Sequence, residues 1–318
     1  MLYGNKEVQE EILKQVRKFE EKYNKKVVFG AMVGSISKGV ERYDSDYDTR
    51  FLYLDRLEEG FARWDKVKDI KESQVHQCYI PGSKDCYVDG DQYRRNYHEF
   101  EVTDKSLFYD KIAFWELTSY INFLRNPILD SRFSLGLYHT VGWTFHSPFC
   151  WDPYGINNKI SCLLDEMFVP EYEVRYYRNY ILQAINKSPV MLREYLYSVY
   201  YALSMDYGIQ NHRFAPVYFK SLLALCDDDL TGTILELEKR YYESAAEIES
   251  EDVYKRKMAN AISVERNRVI DCFLQDVLKR TEKYCDSGVQ SSKKDYVDAI
   301  IDIIIGSLKR PIVRDVND

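Results

Sequence analysis

Two aspartates that stand two residues apart, Asp46 and Asp48, are the side chains of this sequence best suited to chemistry. They fall at the start of an alternating segment, 47–54, that predicts a β-strand. Side chains at positions i and i+2 of a strand project from the same face, so both carboxylates point to one spot. Two carboxylates this close repel each other unless a cation lies between them, and Mg²⁺ takes carboxylate and phosphate oxygens together. The pair therefore predicts a magnesium site.

A Gly34-Ser35 step precedes the aspartates and lies between a dense apolar run, 27–33, and a short helical segment, 36–40. Backbone N–H groups at the start of a helix, together with the helix dipole, favour a phosphate. Gly34 lets the backbone approach closely, the Ser35 hydroxyl offers a further hydrogen bond, and Lys38 is a candidate point charge on the phosphate. A phosphate cradle beside a paired-aspartate metal site is what a two-metal phosphoryl displacement needs.

The elements that must position these residues form a predicted mixed sheet with helices. Residues 7–23 carry an apolar stripe at helical spacing on an otherwise charged segment, which predicts an amphipathic helix. Turn signals at Pro81-Gly82 and Asp89-Gly90 predict a hairpin or an irregular insertion over 60–96. Two further strands and a helix are predicted over 98–102, 107–113 and 115–125.

The second half of the chain is predicted to be helical throughout. The whole chain has 318 residues, which is too long for one small core, and the character of the sequence changes at about residue 150. The predicted helical segments are 155–168, 172–186, 189–207, 214–226, 231–249, 251–285 and 293–308. The fold class is therefore α+β, with an N-terminal domain over 1–150, a helical domain over 151–318, and the nucleotide expected in the cleft between them.

The composition limits the partners and the compartment. A net charge of −7 argues against a protein that coats nucleic acid through bulk electrostatics, although a local basic channel remains compatible with it. The seven cysteines have irregular spacing and no Cys-x-x-Cys pair, which gives a zinc site little support. The charged N-terminus is no signal segment, and no apolar run is long enough to span a membrane. We expect a cytoplasmic protein with no membrane partner.

The order of these motifs resembles the DNA polymerase β-like nucleotidyltransferase superfamily. Gly34-Ser35 with Gly39, followed by Asp44-Ser45-Asp46-Tyr47-Asp48-Thr49-Arg50-Phe51, is similar to the bacterial branch associated with RNA repair operons. That branch reads Gly-Ser-x-x-x-Gly and then Asp-Ser-Asp-Tyr-Asp-x-Arg-Phe. Weaker similarity continues through 115–124 and 193–197, so the resemblance covers most of 27–225. The chain departs from the branch at Ile36-Ser37-Lys38, where Arg-Ala-Trp is usual.

The resemblance implies a nucleotidyltransferase that uses Mg²⁺ (or Mn²⁺) and a nucleoside triphosphate. It places a third metal-binding carboxylate just before the helix at Trp115, for which Asp110 is the candidate and Glu101 and Glu99 are the rivals. Arg193 is the basic residue retained beside the branch's Tyr-Leu-Tyr helix, and a role on the triphosphate is implied for it. The acceptor implied is an RNA end. A protein hydroxyl, a small molecule such as an aminoglycoside, and a non-catalytic nucleotide or RNA sensor stay open as alternatives.

Overall fold

A computed structural model describes residues 6–42, 45, 47–54, 97–101, 111–121, 124, 132–246, 262–285 and 294–308. The chain divides into two compact units. The first comprises Met1–Val33, Tyr47–Glu166 and Ser292–Asp318, and the second comprises Gly34–Asp46 and Met167–Ser291. The fold is mixed α+β and mostly helical, which agrees with the predicted class.

The first unit contains a five-stranded sheet in the order β3-β4-β2-β1-β5. Its strands are β1 Lys26–Met32, β2 Thr49–Leu54, β3 Tyr97–Glu101, β4 Lys111–Glu116 and β5 Cys150–Trp151. The β2–β4 pair is parallel, and the other neighbouring pairs are antiparallel. Strand β1 is apolar along its length and buried from Val27 to Met32, as expected for an interior strand with both faces covered.

Helices cover this sheet. They are α1 Lys6–Tyr23, α3 Leu117–Ile121, α4 Arg132–Phe145, α5 Asn157–Glu166 and α11 Lys294–Leu308. The predicted stripe on α1 is buried, and Phe19 lies 5.2 Å from the Tyr53 ring of β2 between centroids. Helix α11 packs on α5 through buried isoleucines such as Ile300 and Ile304.

The described part of the second unit is helical except for a two-stranded antiparallel sheet. Its helices are α2 Gly34–Lys38, α6 Pro170–Ile185, α7 Leu192–Asn211, α8 Phe219–Leu222, α9 Asp228–Ala246 and α10 Arg268–Thr281, and its strands are β6 Val190–Met191 and β7 Ser263–Val264. The tyrosines of α6 and α7 pack against each other, as in the stacked pair Tyr177–Tyr201 at 5.2 Å. None of the described helices is long and apolar enough to cross a membrane.

Several predicted boundaries differ from the observed ones, each for a local reason. Strand β2 begins at Thr49 rather than at residue 47, because β1 ends at Met32 opposite Thr49 and the chain then turns into α2. The helix predicted from Trp115 begins at Leu117, because Trp115 and Glu116 still pair with β2. Within the segment predicted as helix over 251–285, the described part contains β7 and begins its helix at Arg268.

The two units also differ in extent from the predicted domains 1–150 and 151–318. The division falls after Glu166, the C-terminal helix α11 groups with the first unit, and the segment 34–46 groups with the second. The predicted insertion over 60–96 lies outside the described residues.

Candidate functional site

The Gly34-Ser35 step is held where β1 ends. The last residue of β1, Met32, receives a hydrogen bond on its carbonyl oxygen from the Ser147 hydroxyl (2.7 Å) and donates its N–H to the Phe149 carbonyl (2.9 Å). Two residues later Gly34 adopts a left-handed backbone with φ of 73°. A side chain is strained in this conformation, which explains the glycine at the point where the strand turns into a helix.

The predicted phosphate-binding residues Gly34, Ser35 and Lys38 lie within one helical turn. The Gly34 carbonyl accepts hydrogen bonds from the Ser37 hydroxyl (3.1 Å) and from the Lys38 ammonium (3.3 Å). The Lys38 charge is thereby drawn back to the first residue of α2. Ser35 is partly exposed, and its hydroxyl forms no hydrogen bond with any residue in the described part of the chain. The partly exposed Ser35 hydroxyl and the ammonium of Lys38, a side chain that is 6% exposed, thus both lie at the start of α2.

The second unit also brings Lys38 and Arg193 to neighbouring tyrosines of α7. The Lys38 ammonium lies 5.8 Å from the centroid of the Tyr200 ring, and the Arg193 guanidinium lies 5.4 Å from that of Tyr197. Both distances are within the range of cation–π contacts. Lys38 and Arg193 are far apart in sequence and were both predicted to bind phosphate. Both therefore lie on one aromatic cluster, which is formed by Tyr197, Tyr200, Tyr201 and Tyr241.

The guanidinium charge of Arg193 is accessible to a ligand. Its side chain is exposed, and it forms no ion pair with any carboxylate of the described residues. Desolvation lowers the pKa of its guanidinium, but the hydroxyls of Tyr197 and Tyr241 raise it, and the net direction is upward. A permanently charged guanidinium that is bounded by rings instead of carboxylates is suited to a phosphate.

Sequence analysis missed a third cation of this cluster, Arg42. Its guanidinium lies 5.2 Å from the ring centroid of Tyr241, the tyrosine that also influences Arg193. The Arg42 side chain is buried, at 7% exposure. Because Arg42 and Tyr241 are remote in sequence, no spacing pattern could have indicated the contact.

A short turn then leads toward the aspartates. The Arg42 N–H donates to the Ser45 hydroxyl oxygen (2.8 Å), and the Ser45 N–H donates to the Arg42 carbonyl (3.0 Å). This reciprocal pair is a serine-stabilised turn, which gives Ser45 of the Asp-Ser-Asp motif a structural role. Asp46, which was predicted to bind the metal, lies outside the described residues.

Asp48 directly precedes β2 in the first unit. Its carbonyl accepts a hydrogen bond from the Val33 N–H (2.8 Å), which extends the β1–β2 pairing by one residue. Two residues later, Arg50 donates to the Tyr120 hydroxyl at 3.4 Å. That hydroxyl is buried between the Thr144 hydroxyl (2.6 Å) and a backbone carbonyl, and burial raises its pKa. The start of β2 is thus held by two hydrogen bonds, one from the Val33 N–H to the Asp48 carbonyl and one from Arg50 to the Tyr120 hydroxyl.

The third predicted carboxylate, Asp110, lies outside the described residues, as does the side chain of each of its rivals Glu99 and Glu101. Strand β4 begins at Lys111, the residue after Asp110. No group of three or more potential metal ligands occurs among the residues that the structure describes. Because Asp48 is the one predicted ligand that is described, the metal assignment stays a prediction.

Comparison with known proteins bears on the first part of the chain. Residues 8–77 match the family model described as "RlaP: RNA repair pathway DNA polymerase beta family". The chain is 30% identical over 69 residues to the uncharacterized protein YcgL of Bacillus subtilis (strain 168), a match that covers 22% of this chain and 26% of that relative. The chain thus spans about a quarter of the length of the curated relative that it matches.

The family match includes the Gly34-Ser35 step, Lys38, Asp46 and Asp48, and it ends before Asp110 and Arg193. It confirms the family resemblance predicted from the motif over this part of the chain.

Proposed function

We propose that this chain, whose residues 8–77 match the RNA-repair polymerase β family, is a Mg²⁺-dependent nucleotidyltransferase that moves a nucleoside monophosphate from a nucleoside triphosphate to an acceptor hydroxyl. One observation carries the proposal. The chain runs from a buried strand through a left-handed glycine into a short helix, and then through a serine-stabilised turn to an aspartate at the start of the next strand. This order is the one in which the family motif was predicted to fold.

The triphosphate is proposed to bind the second unit. The Ser35 hydroxyl and the backbone at Gly34 contact the β- and γ-phosphates, and Lys38 and Arg193 neutralise their charge. Phosphoryl transfer requires little covalent chemistry from a protein, so positioning and charge neutralisation account for most of the rate increase. The cation–tyrosine contacts support this role because they orient the Lys38 ammonium and the Arg193 guanidinium.

The residues of the motif fit the metal that the family implies. Asp46, Asp48 and Asp110 offer oxygen ligands alone, and hard cations such as Mg²⁺ and Mn²⁺ prefer oxygen ligands. When bound, the metal would supply charge stabilisation on the phosphates and on the attacking oxygen. The hydrogen bond from the Val33 N–H to the Asp48 carbonyl holds the backbone of one ligand in place.

Strand order supports Asp110 as the third carboxylate. Because β2 and β4 are neighbouring parallel strands, both begin at the same edge of the sheet. Asp48 directly precedes β2, and Asp110 directly precedes β4 in sequence. Glu101 ends β3 at that edge but one strand further away, about 10 Å from β2. Glu99 pairs with Ala113, inside the sheet.

The reaction is balanced as a single displacement. The acceptor hydroxyl oxygen forms a bond to the α-phosphorus, the bond from that phosphorus to the β-bridging oxygen breaks, and pyrophosphate leaves. The proton of the hydroxyl passes to Asp110 or to water. The proposed acceptor is an RNA end, because the description of the matching family names an RNA repair pathway. A protein hydroxyl is the second candidate, because the net charge of −7 suits a long RNA footprint poorly.

A transfer assay tests the proposal. Each α-³²P-labelled nucleoside triphosphate is incubated with Mg²⁺ and either total RNA or lysate protein. We expect label on RNA that is lost in Asp46→Asn and in Asp48→Asn but retained in Asp302→Asn, which changes an exposed carboxylate of α11. Label on protein with the same dependence would identify the second acceptor. Label that persists in both motif variants would refute the assigned site.

Substitution of the candidate third carboxylates distinguishes an enzyme from a sensor that has no catalytic activity. Asp110→Asn, Glu101→Gln and Glu99→Gln are assayed singly. An enzyme loses metal-dependent turnover in one of the three, and we expect this variant to be Asp110→Asn. Triphosphate binding with no turnover in the wild-type protein would instead support the sensor.

A further inference from the structure

A cavity in the second unit lies beside the aromatic cluster. Its volume is about 260 Å³, and it is formed by the residues after α2, by α8 and by α9. The lining residues are Val40, Glu41, Lys220, Leu235, Glu238, Lys239, Tyr241, Tyr242 and Glu243. Typical pockets for a whole drug-sized ligand are about 300–1,000 Å³, so this cavity suits one ring system rather than an entire nucleotide.

The cavity contains a carboxylate, that of Glu238, for which the described residues provide no hydrogen-bond donor. Glu238 is half-buried and forms neither a hydrogen bond nor an ion pair with any residue that the structure describes. Burial raises the pKa of its carboxyl, Glu41 raises it further, and Lys220 opposes both. A half-buried acceptor without a donor is costly, and a ligand N–H group would remove this cost.

A cation faces the same space. Lys220 is exposed, lines the cavity and forms no ion pair within the described part of the chain. Its ammonium donates hydrogen bonds only, and a carboxylate only accepts them. The cavity thus offers a ligand the Glu238 carboxylate as an acceptor and the Lys220 ammonium as a donor. Two other charged residues of its lining, Lys239 and Glu243, form an ion pair with each other at 3.7 Å.

Two tyrosines and two aliphatic side chains line the cavity beside its charged residues. Tyr241 is 6% exposed and separates the cavity from Arg42, which lies over its ring. Tyr242 and Leu235 are 56% and 42% exposed, so both side chains are accessible to a flat ligand. Aromatic side chains bind nucleobases by stacking.

We propose that this cavity binds the base of the nucleoside triphosphate and selects bases that carry an exocyclic amino group. The inference rests on the proposed function, since it assumes a triphosphate held by Arg193 and Lys38. Tyr241 interacts with Arg193 as well as lining the cavity, so the proposed phosphate site and base site adjoin within one unit.

Hydrogen-bond chemistry gives the selectivity. The exocyclic amine of adenine, cytosine or guanine carries N–H donors that match the Glu238 carboxylate, and each of these bases also has an acceptor for Lys220. Uracil has carbonyl oxygens in place of the amine, and a carbonyl that faces a carboxylate is repelled. Binding of the triphosphate of uridine is therefore expected to be weaker by about tenfold.

Titration calorimetry with ATP, CTP, GTP and UTP in Mg²⁺ tests the inference. The variant Glu238→Gln keeps the shape of the side chain, but its amide N–H₂ can donate to the uracil carbonyls, so the tenfold ratio should fall to about twofold or less. Glu236→Gln is the matched control, because Glu236 is an exposed carboxylate of the same helix that does not line the cavity. In Lys220→Met all four affinities should fall by a similar factor, because every base has an acceptor.

The outcomes separate the two proposals. Equal affinity of the wild-type protein for all four triphosphates, or a ratio that is unchanged in Glu238→Gln, overturns the base site while leaving transferase activity intact. Tripolyphosphate serves as the base-free probe. If neither it nor any nucleoside triphosphate binds, the proposed function fails as well as the base site.

Discussion

Replacement of Arg193 by methionine should weaken triphosphate binding without unfolding the protein. Arg193 stands at the start of α7, is exposed, and lies over the Tyr197 ring without an ion pair to any described carboxylate. Methionine keeps an unbranched apolar chain against the ring and removes the charge. Because no carboxylate partner is left behind, the variant reports on the ligand contact alone.

The magnitude follows from the contacts. A charge-assisted hydrogen bond to a phosphate contributes about 1.5–3 kcal/mol, so affinity for ATP and for tripolyphosphate should fall about 10- to 150-fold. An exposed cation–π contact contributes about 0.5–1 kcal/mol to folding, so the melting temperature should fall by no more than about 3 °C. Arg193→Lys should retain part of the affinity, since it keeps the charge but loses the bidentate geometry.

A matched control lies near the other end of the same helix. The Arg213 guanidinium lies 5.5 Å from the ring centroid of Tyr207, a contact like that of Arg193, but it is not part of the predicted site. Arg213→Met should lose the same small amount of stability and no affinity. Calorimetry of both variants measures the difference directly. If the two variants bind tripolyphosphate equally well, Arg193 is not a phosphate ligand, and the reasoning from its unpaired charge is refuted.

Three further predictions concern folding and reactivity. Tyr195→Phe should lower the free energy of unfolding by about 1–2 kcal/mol in urea titration, because its hydroxyl bonds to α10 at 2.8–3.1 Å are lost. Gly39→Ala should cost about 2–4 kcal/mol, because φ is +68° and the added Cβ would lie 2.2 Å from a Tyr218 ring carbon. Gly155→Ala, with φ of +60° and open space around it, should cost only about 1–2 kcal/mol, and a loss equal to that of Gly39→Ala would contradict the clash. Burial raises the pKa of Cys226 to about 11, so at pH 8 it should react with iodoacetamide at least about tenfold more slowly than the exposed cysteines, as peptide mass spectrometry would measure.

The sequence was sufficient for the elements whose signals are local. The stripe of α1 and the apolar run of β1 each fix an element by periodicity or composition, and both were located within one or two residues. The Gly34-Ser35 step was predicted to precede a helix over 36–40, whereas it forms the first two residues of α2, so the helix was located with an error of two residues. In each case the determining interactions lie within the element or between it and its chain neighbours.

What the sequence did not predict depends on long-range packing. Strand β5, two residues long, exists only because Cys150 and Trp151 pair with β1, and no period can be read from two residues. Arg42 was missed because its ring partner is on α9. The grouping of α11 with the first unit depends on buried isoleucines that contact α5. An apolar stripe in a sequence predicts that a helix face is buried, but it does not indicate which surface that face packs against.

The cation–tyrosine contacts suggest why an acidic protein carries 28 tyrosines. A cation that is paired with a carboxylate offers little attraction to a phosphate. A tyrosine ring holds a cation by its face and leaves the N–H groups and the full charge to a ligand. Arg193 on Tyr197 is the case in which the described residues include no competing carboxylate. Tyrosine packing between helices and polyanion binding are thus compatible uses of the same residues, because the ring edges fill the core while selected faces orient cations toward the ligand.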